Sequence, residues 1–394
     1  MKTLLLVLAL YAFGYASSVN LNQLLDNVQE NHPSFKASQE AIQAQHFKHE
    51  AEFSTAPLSF ISSVANATPA EGDDTIEYSL GVEKEFRIGK SAYYTSQMGH
   101  YEHEAMEGMA KKELLALQNE LKKAYHLSCI EKENIANYAK LLEQFELIYS
   151  KKLKAFDYGE LSKKELLQLS LEKDRLIEKI TALIADEVAS RRHVLTLAQY
   201  EGDNELACTD LLPLQPFLGS DQTRYPLSEE IYRNLNLSSD NAIKRYESTF
   251  NSMSVALHYD NETDIERVGV DLSIPLTFTS TEYEKMRLSS LHNKQKLLYE
   301  KEALYLHKNA ASSSLIAELN TLYQQYESID TRLKIYQNEL MPLIEKSYRL
   351  NESSLIEYLL SYTNFNTISE ELNRTKKNYY NTLFQLYSVL EIKE

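Results

Sequence analysis

The sequence predicts a mainly α fold with a smaller β part, in which one unit, a β-hairpin followed by a long coiled-coil helical hairpin, occurs twice. Three observations predict it. First, the 394 residues include 10 glycines and 8 prolines, where average usage would give roughly 28 and 20. Turns draw on these residues for special backbone angles, so few turns and long elements follow. Second, four long stretches place apolar residues at steps of three and four, which keeps one seam facing a partner helix. Third, residues 192 positions apart match in kind through much of the chain.

The elements follow in order. Met1-Lys2-Thr3, the apolar run Leu4–Phe13 and Gly14-Tyr15-Ala16 have the layout of a secretory signal peptide, giving 1–16 as a leader. After it no run of 18 apolar residues remains, so the mature chain is expected to lack a transmembrane helix. Membrane entry, if any, would be through β-strands. The first repeat is expected over 17–199: a short helix over 20–52, a hairpin within 53–87 and a helical hairpin over 90–199. In the hairpin Ile76, Tyr78, Leu80 and Val82 alternate with Glu77, Ser79, Gly81 and Glu83, the period of a strand with one apolar face. Leu58, Phe60 and Val64 form its weaker partner across the turn-rich Pro69–Asp74. The helical seams are Leu114, Leu117, Leu121, Ala124, Ile135, Tyr138, Leu142, Phe145 and Tyr149, then Leu166, Leu169, Leu176, Ile180, Leu183, Val194 and Leu197.

Residues 200–226, punctuated by Gly202, Pro213, Pro216, Gly219 and Pro226, link the halves. The second repeat is expected over 227–394, with a hairpin over 251–279 and a helical hairpin over 281–392. Met253, Val255, Leu257 and Tyr259 alternate, then Val268, Val270, Leu272 and Ile274, with Asp260–Asp264 as the turn. The third seam runs Leu315, Leu319, Leu322, Tyr326, Ile329, Leu333, Tyr336, Leu340 and Leu343, with a kink expected at Pro342. The fourth runs Leu355, Tyr358, Tyr362, Phe365, Leu372, Tyr379, Leu383, Leu386 and Leu390. The turns between the long helices correspond: Tyr158-Gly159-Glu160-Leu161-Ser162 matches Leu350-Asn351-Glu352-Ser353-Ser354, and Gly and Asn both tolerate a left-handed helix end.

Chemistry is sparse. A net charge of -16 disfavours nucleic acid as a partner. No phosphate loop or nucleophile–base spacing occurs. His46 and His49, and His100 and His103, are i, i+3 pairs without the further ligands a metal needs, so no metal and no cofactor is expected. Cys129 and Cys208 can pair after export, or Cys129 can stay a buried thiol. Tyr78, Tyr93, Tyr94, Tyr259 and Tyr283 lie at or near strand ends, where amphipathic rings suit a membrane interface.

The duplication, the strand Val270-Asp271-Leu272-Ser273-Ile274-Pro275-Leu276, the junction Arg87-Ile88-Gly89-Lys90 and the helix-borne Leu340-Met341-Pro342 together resemble the TolC-like family of outer membrane efflux proteins. The resemblance implies a non-enzymatic homotrimer in the outer membrane of a Gram-negative bacterium. It implies a shared twelve-stranded barrel and a helical periplasmic tunnel that meets a periplasmic adaptor and an inner-membrane transporter. Ile76, Tyr78, Leu80, Val82, Val268, Val270, Leu272 and Ile274 would then face outer membrane lipid. The adaptor would dock at Tyr158, Gly159, Glu160, Leu161 and Ser162 and at Asn351, Glu352, Ser353 and Ser354. Glu165 and Glu357, six residues past the turn slot, would form acidic rings at the lumen gate; the further acid of some members is replaced here by Leu360. The plainer account of both glutamates is an acid at a helix start, favoured by the dipole. A soluble periplasmic adaptor or scaffold is the alternative reading of the long coiled coils.

Overall fold

A computed structural model describes residues 18–53, 56–68, 74–218, 225–247, 250–262, 265–276, 281–350 and 352–393. The predicted leader, Asn351 and most of the Pro69–Asp74 link lie outside them. The chain forms two compact units that cut across the sequence repeats.

One unit takes residues up to Lys36, Glu113–Arg224 and Lys308–Glu394. It begins with α1 (Leu21–Asn31), started by a capping box in which Asn20 and Gln23 satisfy each other's backbone N–H at 2.9 and 3.0 Å. The single helix expected over 20–52 is two, because His32 is extended and Pro33 opens α2 (Pro33–Phe53). Proline disfavours the helical conformation at the residue before it. The unit's long helices are the C-terminal part of α3 (Gly89–Asp157), α4 (Lys163–Leu197), the end of α6 (Thr281–Ile335), α7 (Met341–Arg349) and α8 (Leu355–Leu390). Their seams bury two clusters. Tyr138, Leu142, Phe145, Leu169, Leu176, Tyr358 and Tyr362 belong to the first, Leu24, Leu121, Ala124, Val194 and Leu206 to the second.

The third seam departs from its predicted course at one place. Between α6 and α7 the ladder widens to a π-helix over Tyr336–Leu340, immediately before Pro342. A π-turn holds one residue more than an α-turn and accommodates the N–H that proline lacks. The extra residue advances the seam by one position. Leu340 and Leu343, expected inside, are exposed, while Met341 and Tyr348 are buried and Ile344 packs against the core.

The other unit holds Ala37–Lys112 and Tyr225–His307, including α5 (Pro226–Arg245). Its four strands, β1 (Ser59–Ala67), β2 (Thr75–Arg87), β3 (Ser252–Glu262) and β4 (Ile265–Ser273), form an antiparallel sheet in sequence order. Asp260, Asn261 and Glu262, read as turn residues, extend β3 and pair with Arg267, Glu266 and Ile265. Ile274 lies just past the end of β4.

Candidate functional site

The register puts every alternating apolar residue of the sheet on one face. Phe60 is opposite Val82, Val64 opposite Tyr78, Leu80 opposite Tyr259, Val82 opposite Leu257, and Leu257 opposite Val270. Directly paired residues share a face, because strand side chains alternate with period two. The predicted set Ile76, Tyr78, Leu80, Val82, Val268, Val270 and Leu272 is therefore one continuous surface. It is bare: Val268 and Val64 are each 75% exposed. The Tyr78 and Tyr259 rings lie 6.4 Å apart within it.

The opposite face is polar. Glu77, Ser79, Glu83, Asp260 and Asp271 line it, and His258 lies at its centre between Gly81 and Gly269. A Cβ on Gly269 would strike the imidazole, so the glycine is what lets the ring lie across the neighbouring strand. The two ring nitrogens face Asp260 at 3.2 Å and Asp271 at 3.3 Å. Among the described residues the sheet's outer strands, β1 and β4, each have one edge that no other strand pairs with.

At the helical turns the structure brings together what the duplication aligned. Ser162 and Ser354 are the N-caps of α4 and α8, and Glu165 and Glu357 complete capping boxes. Glu165 Oε2 accepts from Ser162 N–H at 3.2 Å and from its hydroxyl at 2.8 Å; Glu357 Oε2 accepts from Ser354 N–H at 2.8 Å. Both carboxylates thus serve helix starts, which is the plainer of the two accounts. Gly159 sits at φ +78°, the left-handed conformation that ends α3. Tyr158 projects from this turn, 82% exposed. Glu160 is exposed and Leu161 half-buried, as is Ser353. Glu352 closes the second turn through its N–H to Ser347 O at 2.9 Å.

Beneath the turns is an aromatic stack. Tyr348 and Tyr358 are parallel with centroids 4.6 Å apart, Tyr362 follows at 4.8 Å, and Lys152 lies 4.1 Å above the Tyr348 ring. Burial pushes the Tyr348 hydroxyl up to about 12 and that of Tyr358 further, so both rings stay neutral at any physiological pH.

One arrangement had little sequence signal beyond its prolines, its glycines and the possible pairing of Cys208 with Cys129. Residues 198–218 form a belt fastened to the helices. Cys208 is disulfide-bonded to Cys129 of α3, so Cys129 is not a thiol. Beyond it, side chains clamp the belt's backbone at alternate places. His126 Nε2 accepts from Leu212 N–H at 2.9 Å, and the Tyr380 hydroxyl donates to Leu212 O. Tyr379 accepts from Gln215 N–H at 3.2 Å and donates to Gln215 O at 2.8 Å. Asn320 accepts from Phe217 N–H at 2.9 Å and donates to its carbonyl at 3.5 Å. Because Nε2 accepts, Nδ1 carries the His126 proton and gives it to Lys122 O at 2.7 Å. Burial pulls this imidazole down to about 4. Val19 joins the belt in a parallel bridge with Leu206.

The histidines predicted as pairs lie against glutamates instead: His49 with Glu102 at 3.0 Å, His46 with Glu50, His100 with Glu104 and His103 with Glu107 at 3.3 Å. Among the described residues no group of three or more His, Cys, Asp or Glu could hold a metal ion, and no helix is long and apolar enough to cross a membrane.

No protein-family model and no curated protein matches the chain. Solved structures do. The chain is similar to CusC, described as undergoing conformational changes on folding and transmembrane channel formation (13% identity, TM-score 0.75, 95% of this chain and 93% of that one). It is similar to the CmeC outer membrane channel of Campylobacter jejuni (14%, 0.73, 94% and 85%). It is also similar to the open state of the MtrE outer membrane channel of Neisseria gonorrhoeae (14%, 0.72, 94% and 88%). At such identities the likeness is one of fold.

Proposed function

We propose that this chain, whose fold is that of the TolC-like outer-membrane efflux channels, is the protomer of a trimeric outer membrane exit duct. The observation that carries the reading is the sheet: one face is bare and carries the run of alternating apolar residues, the other is polar around His258, and its outer edges are unpaired among the described residues. Open edges are not tolerated in lipid, and four strands cannot close on themselves. Three copies joined β4 to β1 would close a twelve-stranded barrel, apolar outside and polar within. The strands of 9 to 13 residues suit a span needing about 9–11.

The helical hairpins then form the periplasmic conduit. Their turns meet a periplasmic adaptor that connects to an inner-membrane transporter, and threefold symmetry makes Glu165 and Glu357 into rings of carboxylate at its entrance. Tyr93 and the Tyr246–Tyr283 pair, centroids 5.9 Å apart, suit the inner interface of the membrane. A soluble adaptor would leave this apolar face in water, which disfavours that alternative.

Membrane fractionation followed by planar-bilayer recording tests the proposal. A detergent-extracted trimer with steady single-channel conductance is the expected result. Recovery of the mature protein as a soluble monomer without detergent would reject it.

A further inference from the structure

The polar face of the sheet is built around one histidine. His258 of β3 lies in a row with Ile61, Gly81 and Gly269, one residue from each of the other strands. Two of the chain's 10 glycines therefore flank this one side chain. Glycine inside a strand weakens it and marks a place where another group must approach the backbone closely. A Cβ on Gly269 would come within 2.4 Å of the imidazole Nε2, and one on Gly81 within 3.1 Å of His258 Cβ. The glycines let the ring lie across β4 instead of standing up from the sheet.

Charged groups face the ring from three strands. Asp260 of β3 lies 3.2 Å from Nε2, and Asp271 of β4 lies 3.3 Å from Nδ1. Glu83 of β2 and Arg267 of β4 are on the same face one row away, while β1 contributes Ser59, Ile61 and Ser63. Arg267 is also paired with Glu262 at 3.1 Å. Nδ1 is enclosed and has no aligned hydrogen bond among the described residues, so it is the charge of Asp271 that answers it. An imidazolium donates from both nitrogens, a neutral ring from one. With both protons the ring answers two carboxylates; with one proton it leaves one of them uncompensated. Packing alone does not account for this. A side chain that only filled the space over Gly269 would need no carboxylate at either nitrogen.

We propose that His258 is a proton-sensitive selectivity residue of the barrel lumen, setting how strongly small inorganic cations are preferred over anions in passage. The proposal rests on the duct reading, which turns the polar face inward and gives the trimer three such stations. Histidine is the side chain that ordinarily changes charge between about pH 5 and 8. Glu83, Asp260 and Asp271 against Arg267 leave each station two net negative charges with a neutral ring and one with a protonated ring. Rings of charged side chains set ion preference in pores. A twelve-stranded barrel is also narrow: about eight strands leave an interior that side chains fill, and about sixteen leave a wide aqueous channel. Wall charges therefore stay close to whatever passes. The lumen prefers cations more strongly above the histidine window than below it.

The test records the detergent-extracted full-length trimer in planar bilayers under a potassium chloride gradient, at about pH 8 and about pH 5. The reversal potential gives the potassium-to-chloride permeability ratio. For wild type this ratio should fall about twofold from the higher to the lower pH, in step with the halved charge of the station. H258Q, which keeps a polar side chain over Gly269 but does not titrate, should lose most of that fall. H258K, a fixed cation, should hold the low ratio at both pH values. G269A should drive the ring off the wall and lower the conductance, and H258A/G269A, with no ring to displace, should restore it. Trimer yield checks the folding of each variant. A wild-type ratio that does not change with pH, a fall in H258Q as large as that of wild type, or equal conductance of G269A and wild type would overturn the proposal. Wild-type conductance with no share for His258 sinks this inference alone, and absence of wild-type conductance sinks the duct reading.

Discussion

Replacing Cys129 and Cys208 by serine should loosen the belt while leaving the helices folded. The disulfide closes a loop across 79 positions of sequence. A loop of that size removes chain entropy worth about 4.5 kcal/mol from the unfolded state, an upper value because real denatured chains retain structure. Without it the belt still has six side-chain hydrogen bonds to Leu212, Gln215 and Phe217. At about 1 kcal/mol each, their sum is of the same order. The double variant should therefore lose a large share of the belt's hold, not all of it. Hydrogen–deuterium exchange of peptides covering 205–218 reads this directly. Exchange there should rise by between about ten-fold and a thousand-fold, the upper end being the full loop entropy, with the buried seams of α4 and α8 little changed. Wild-type protein under a reductant should behave the same way. Indistinguishable exchange in the oxidised, reduced and serine forms would refute the reasoning, since the clamps alone would then hold the belt.

Three further outcomes follow from the described geometry. His126 lies at about 4 in the fold against an ordinary 6.5, so the unfolded chain takes up the proton first as pH falls. The stabilisation is complete above pH 6.5 and lost progressively down to about 4, amounting to about 3 kcal/mol; His126→Gln should flatten denaturation midpoints across that window. Lys308 is buried against Glu391, which is fully enclosed, and donates to Val389 O at 3.1 Å. Lys308→Met should cost about 3–5 kcal/mol by leaving a buried carboxylate without its cation, and the double K308M/E391M should recover most of it in a chemical melt. E165Q/E357Q keeps both capping boxes, since glutamine serves at that position, so a fall in cation over anion permeability would isolate the ring charge; unchanged selectivity would confine both residues to capping.

The sequence was most legible where one period governed a long stretch. The seam through Leu169, Leu176 and Leu183, and that through Tyr358, Tyr362 and Tyr379, are buried as their spacing predicts, because nothing interrupts the α period. Leu340 and Leu343 fail for a local reason: Pro342 was visible, but the choice between a kink and an inserted residue depends on how the neighbouring helices pack. The strands were legible from alternation, whereas the end of β3 was not, because Asp260 and Asn261 read as turn formers until cross-strand pairing claims them. The belt was the least legible. Its partners, His126, Asn320 and Tyr379, lie 86 to 164 positions away, and their hydrogen bonds go to backbone groups that every residue carries. Glu165 and Glu357 were found by position, and only the geometry showed their oxygens at the N-caps.

The way the belt-bearing unit is assembled has a consequence for the order in which it folds. Its residues come from three separated stretches, the last beginning at Lys308. Val19, among the first described residues, is held by Leu206, and Lys308 is held by Glu391 at the C-cap of α8. No prefix of the chain contains all the contacts of this unit. A chain emerging from its N-terminus can form local helices early, but it must hold Leu24 and Val28 without their full core until the belt arrives, and complete the bundle only when α8 has crossed. The unit is thus a late-closing structure, and a truncation that removes α8 should leave a chain with native-like local helices and no finished bundle.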